Sequence, residues 1–235
     1  GDPTSLNPFK GVKISAVNIT VDAGSSISAD GKGYGVNQGP GAAADLSGTS
    51  NPGASYGGIS SGNPDSTYGS ATKPIDLGSG GAYYGAGRGG GGAMQIIVSN
   101  TFTNNGTVSS DGFPSSSGGS IYVTAKNIGG NGKFNANGGG LYASGYYKSP
   151  GGGGRIAIYY QNSSFNGIAE AKGGCGQYGC SQNGTVGLFD ELSNDLYLNS
   201  SWQFRVSDSP FNLNNIYISN GAQITSEDGV SITAN

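Results

Sequence analysis

One pattern constrains this chain above all others: a glycine pair, an alternating strand, an Asn-Gly turn and a second alternating strand recur in that order. The pair is Gly91-Gly92, Gly118-Gly119 and Gly153-Gly154 in successive copies. A strand follows with apolar residues at every second place: Met94/Ile96/Val98, Ile121/Val123/Ala125 and Ile156/Ile158/Tyr160. Asn105-Gly106, Asn131-Gly132 and Asn166-Gly167 mark the turn. Val108/Ser110, Phe134/Ala136 and Ala169/Ala171 mark the second strand. Period-two alternation signals a strand with one buried face, and Asn-Gly a tight turn.

The closing half recurs near both ends, at residues 23–31 and 220–229, with partial openings at 185–189 and 215–219. One unit has too little apolar surface to bury alone, whereas stacked units share a continuous row of Ile, Val and Phe. The expected fold is therefore all-β: a parallel β-helix or β-solenoid of about six degenerate coils. Residues 1–11 read as an N-terminal extension and 12–235 as a single domain. The chain opens Gly1-Asp2-Pro3 without methionine or a signal peptide, which reads as a mature or excised piece of something longer.

The runs Gly-Gly-Ser-Ile-Tyr-Val at 118–123, Gly-Gly-Gly-Gly-Arg-Ile-Ala-Ile-Tyr-Tyr at 151–160 and Gly-Thr-Val-Gly-Leu-Phe at 184–189 carry a resemblance. The chain resembles the glycine-rich parallel β-helix repeats of large secreted and surface proteins from protists, algae and bacteria. That resemblance implies a fold and an adhesin-like or extracellular-filament setting; it transfers no catalytic residue.

Three insertions fall after the closing glycine of a unit: a long one at about residues 33–90, one at 139–151, and one carrying Cys175 and Cys180. Coils stacked in register would project these Gly/Tyr-rich loops from one edge, where insertions often build a binding face. Tyr34, Tyr56, Tyr68, Tyr83, Tyr84, Tyr142, Tyr146, Tyr147 and Tyr178 lie in them. A tyrosine ring can stack on a sugar or partner while its hydroxyl stays hydrated, or pack over glycines to give a coreless loop something to bury. Cys175 and Cys180 read as a local disulfide suited to an oxidising compartment. Sequons at Asn18, Asn105, Asn162, Asn183 and Asn199 permit glycosylation, but a chain this rich in Asn, Ser and Thr produces such motifs by chance.

Chemistry is harder to find. The chain has no histidine, so Gly58-Ile59-Ser60-Ser61-Gly62, which fits a nucleophile elbow, has no triad to join. Gly85-Ala86-Gly87-Arg88-Gly89-Gly90 fits a dinucleotide fingerprint but opens no helix. Asp30, Asp111 and Asp228 share a column with Asn137 and Lys172, each before a glycine. That column reads as turn-forming, with a calcium ladder as the other reading. Arg88 and Arg155 follow glycine runs and read as solvated or capping arginines, a substrate clamp being the alternative. A net charge of -3 with scattered Lys and Arg leaves no footprint for nucleic acid, and no apolar run is long enough to span a membrane. The expected role is a non-catalytic, cofactor-free structural module of an extracellular or cell-surface assembly (filament, matrix or long surface protein), self-associating through strand edges or loops with copies of itself or other extracellular structural proteins. The alternative is an adhesin or carbohydrate-binding module that takes glycans on the tyrosine-rich edge.

Overall fold

The computed structural model describes residues 10–42, 50–61, 67–82, 89–140, 147–176 and 179–234. Among them the chain is all-β, with a short 3-10 turn at Val206–Asp208 and no α-helix. Its strands are β1 (Val12–Val21), β2 (Ser26–Ser28), β3 (Ser50–Asn51), β4 (Ala93–Asn104), β5 (Thr107–Ser109), β6 (Ser120–Gly130) and β7 (Lys133–Asn135). They continue as β8 (Tyr147–Lys148), β9 (Arg155–Phe165), β10 (Ile168–Glu170), β11 (Cys175–Gly176), β12 (Gly179–Cys180) and β13 (Thr185–Asp190). The last are β14 (Asp195–Leu198), β15 (Trp202–Phe204), β16 (Phe211–Leu213), β17 (Asn215–Ile218), β18 (Ile224–Ser226) and β19 (Ile232–Ala234).

Seven strands form one sheet in the order β1-β4-β6-β9-β13-β14-β17, and β10-β7-β5-β2 form a second. Parallel pairing sets aligned segments side by side: Ile96 pairs with Val123, Val123 with Ile158, and all three are fully buried. Side chains from both sheets meet in one apolar cluster that includes Met94, Ile121, Ile156, Phe102, Val108 and Phe134. Phe102 and Phe134 meet edge to face at 5.8 Å. The opposite face of the large sheet carries a second cluster, in which Ala157 and Phe189 pack with Leu196, Leu198, Trp202 and Phe204.

One hydrogen bond per unit ties the end of a short strand to the start of the next long one. Gly92 N–H donates to Ala29 O at 2.8 Å, Gly119 to Ser110 O at 2.8 Å, Gly154 to Ala136 O at 2.7 Å and Gly184 to Ala171 O at 2.7 Å. Backbone lies against backbone along this column. A Cβ on Gly119 would stand 1.9 Å from Gly92 O, one on Gly154 2.2 Å from Gly119 O, and one on Gly184 1.8 Å from Gly154 O.

Two expectations are corrected here. The fold is not a solenoid of about six coils: the large sheet is mixed, because β14 returns antiparallel to β13, and the C-terminal strands lie in separate two-stranded sheets. The reversal has a local cause. Asp190 Oδ1 accepts from the Leu192 and Ser193 N–H groups, and Asn194 takes a positive φ of 54°, which closes a hairpin. Nor does the long insertion simply project as an edge loop. It folds over the outer face of the large sheet, where Arg155 Nε donates to Tyr68 O at 3.0 Å and the Tyr159 hydroxyl to Thr72 O at 2.9 Å. The second insertion joins the first, since β3 pairs with β8 and Gly152 N–H donates to Ala54 O.

The glycine column generates a test. Gly119→Ala is expected to cost about 3 kcal/mol, because its neighbours are backbone atoms that cannot rotate away. Gly24→Ala, with φ of +82° but nothing within 4 Å, is expected to cost about 1 kcal/mol. Urea unfolding of the two variants measures the gap.

Candidate functional site

Asp30, Asp111 and Asn137 form a ladder of side-chain oxygens, each bonded to the backbone of the next unit. Asp30 Oδ1 accepts from Asp111 N–H at 2.7 Å, Asp111 Oδ1 from Asn137 N–H at 2.6 Å, and Asn137 Oδ1 from Lys172 N–H at 2.8 Å. Lys172 ends the ladder, so only its N–H is used, and its ammonium pairs with Glu170 at 2.6 Å. A second ladder runs over the bulge where β4 carries one residue more than its neighbours. Asn100 Nδ2 donates to Asn18 Oδ1, Asn127 to Asn100 and Asn162 to Asn127, at 3.0, 3.3 and 3.1 Å. Both ladders join strands. Among the described residues no group of three His, Cys, Asp or Glu is placed to hold a metal ion.

The remaining candidates separate cleanly. Cys175 and Cys180 form a disulfide across β11 and β12. Asn18, Asn162, Asn183 and Asn199 are exposed and Asn105 is half-buried. Tyr56 is wholly buried: the Ser120 hydroxyl donates to Asp76 O at 2.6 Å and so accepts from the Tyr56 hydroxyl, also at 2.6 Å. Tyr68 is half-buried with its ring 4.6 Å from that of Tyr56, and its hydroxyl donates to Leu77 O at 2.6 Å. Burial raises both phenols above their ordinary range. These two rings hold the insertion down and face no solvent-side partner, while Tyr34 is half-buried beneath the Lys10 ammonium. Tyr147 contributes backbone to β8. Tyr83, Tyr84, Tyr142, Tyr146 and Tyr178 lie outside the described residues, as does Arg88. Arg155 is no solvated cap: it is fully buried under the Tyr56 ring, and desolvation lowers its pKa to about 10. Ser60 is buried with its hydroxyl donating to Pro150 O.

Among the described residues two surface features remain uncovered. The first is a set of open strand edges. Among the described residues β1 pairs only with β4, β17 only with β14, β18 only with β15 and β19 only with β16. β17, β18 and β19 contain no charged residue and expose Ile218 (57%) and Ile232 (41%), with Tyr217 stacked on Tyr197 at 4.7 Å. Natural edges are usually blunted by charge or proline, and these are not. The second is an uncharged cleft of about 410 Å³, its lining about half polar and half apolar, between the Ser181–Thr185 segment, β15 and β18, walled by Gly57 and Ile59 of the long insertion. Sequence patterns did not point to the cleft, because a cleft is a property of what fails to be covered.

No protein-family model, curated protein sequence or solved structure matches this chain.

Asp111 supplies a pH test. Burial pushes its carboxyl up to about 6, with the Asn137 hydrogen bond opposing. A raised folded pKa means stability present at pH 4 that is lost as pH rises toward 6. Asp111→Asn keeps the oxygen acceptor and removes the charge. It is expected to flatten that slope and to stabilise the chain at pH 7 by about 1 kcal/mol after solvent screening. Thermal unfolding from pH 4 to 7 reads both effects.

Proposed function

We propose that this chain is a non-catalytic structural module of an extracellular or cell-surface assembly, and that it self-associates through its strand edges. The uncharged, exposed edges of β17, β18 and β19 carry the reading. An edge strand presents a row of unpaired N–H and C=O groups, which another strand can satisfy. At the opposite margin β1 exposes Val12 (48%) and Val17 (63%), with Lys13 inside the strand and Lys10 and Asp22 near its ends.

Strand directions define the seam. β1, β4, β6, β9 and β13 run parallel, β14 reverses, and β17 follows β14. A head-to-tail contact between β17 of one copy and β1 of the next is therefore antiparallel, a pairing this fold already contains at β13–β14. The Cys175–Cys180 disulfide is compatible with an oxidising environment, and no helix among the described residues is long and apolar enough to cross a membrane.

Sedimentation across a concentration series, with negative-stain electron microscopy, tests the assembly. The chain is expected to form end-to-end oligomers or filaments. Ile218→Lys with Ile232→Lys is expected to abolish them while shifting stability by no more than about 0.5 kcal/mol, since both side chains are exposed. A strict monomer at high concentration overturns the reading.

A further inference from the structure

The cleft beside the disulfide hairpin has a chemistry distinct from the edges. Its lining includes the side chains of Gln182, Gln203, Gln223, Thr185, Ser201 and Trp202. None of the lining residues ionises near neutral pH, Cys180 being held in the disulfide. Gln182 and Gln223 are exposed, and their side-chain amides have no protein partner among the described residues. Each amide offers donors and an acceptor together, the combination that a sugar hydroxyl also offers.

Two buried residues line the cleft, Trp202 and Thr185. Trp202 is 1% exposed, and its Nε1–H, without a hydrogen-bond partner among the described residues, is closed to the cleft. Behind the opposite wall, fully buried Arg155 donates from Nη1 to the Thr185 hydroxyl at 3.2 Å. With its oxygen engaged as acceptor, that hydroxyl is left to donate. Gln203 is held in place, its Oε1 accepting from Thr67 at 2.9 Å and from Arg205 at 3.3 Å. The cleft thus combines a fixed frame and two free amides, without a charged residue in its lining.

We propose that this cleft binds a neutral oligosaccharide. Hydroxyls of the sugar exchange hydrogen bonds with Gln182 and Gln223, and a ring or hydroxyl oxygen accepts from Thr185. A small concave site with a few convergent polar groups is the usual form of a specificity pocket. The absence of an ionisable lining residue favours neutral glycans over uronates or sulfated chains.

Trp202 is the chain's single tryptophan, so its fluorescence reports this site and no other. The test uses the Ile218→Lys plus Ile232→Lys chain, so that assembly and binding are read separately. Gluco-, manno-, xylo- and chito-oligosaccharides are titrated while tryptophan emission is followed, with oligogalacturonate as the acidic comparison and isothermal calorimetry as a second readout. At least one neutral oligosaccharide is expected to shift the emission saturably. Gln182→Ala and Gln223→Ala are each expected to weaken it about fivefold, the worth of one neutral hydrogen bond. The proposal is overturned if no neutral oligosaccharide binds, if only the acidic one does, or if Gln182→Ala combined with Gln223→Ala leaves affinity unchanged. Near-ultraviolet circular dichroism of the variants checks that the fold is intact.

Discussion

Everything in this structure is arranged around the column where backbone touches backbone, at Gly92, Gly119, Gly154 and Gly184. Each of these N–H groups reaches the end of a short strand, and the following residue's N–H (Ser120, Arg155, Thr185) reaches the carbonyl of the glycine before it in the column. The contact brings the two sheets together at one margin and sets the register in which Ile96, Val123 and Ile158 align. Side chains cannot enter that space. The glycine pairs are therefore a steric requirement, and the apolar alternation that follows them is productive only because the register is already set.

The same closure explains how excursions of very different length coexist. Ala29 joins Gly92 across the long insertion, and Ser110 joins Gly119 across a stretch of only a few residues, by the same hydrogen bond at the same 2.8 Å. Loop-closure entropy rises slowly with length, so the long excursion is tolerated once its ends are pinned. It also does structural work: Tyr56, Tyr68 and Thr72 satisfy Ser120, Arg155 and Tyr159 on what would otherwise be a solvent face. Arg155 is held by a carbonyl, a hydroxyl and an aromatic ring instead of a carboxylate. A buried guanidinium held in this way favours one position of the covering segment over others.

The surface that remains uncovered divides into two chemistries. The C-terminal edges are apolar and uncharged, suited to a strand of another copy. The cleft is uncharged and of mixed polarity, suited to a ligand that pairs hydroxyls with apolar ring faces. They share the neighbourhood of β18, which forms one edge and one wall, so assembly and ligand binding are neighbours in space although they rest on different residues.

Much of this was legible in the residues themselves. Alternation at 94–98, 121–125 and 156–160 marks the strands and their buried faces, and Asn-Gly marks the turns between them; these are local signals with a fixed period. Cys175 and Cys180 are close enough in sequence for their pairing to be read directly. The hairpin at Asp190–Asp195, which turns the sheet from parallel to mixed, was not legible, since Thr185–Phe189 alternates like any opening strand and the reversal depends on one Asx turn. The tyrosines show the limit most clearly: Tyr34, Tyr56 and Tyr68 sit beside glycine in much the same way, yet Tyr56 is fully buried and Tyr34 half-buried. Periodicity belongs to neighbours along the chain and can be read from it. Burial, the unpaired indole of Trp202 and the bare edges of β17 to β19 arise from segments far apart in sequence, and only their packing in three dimensions decides them.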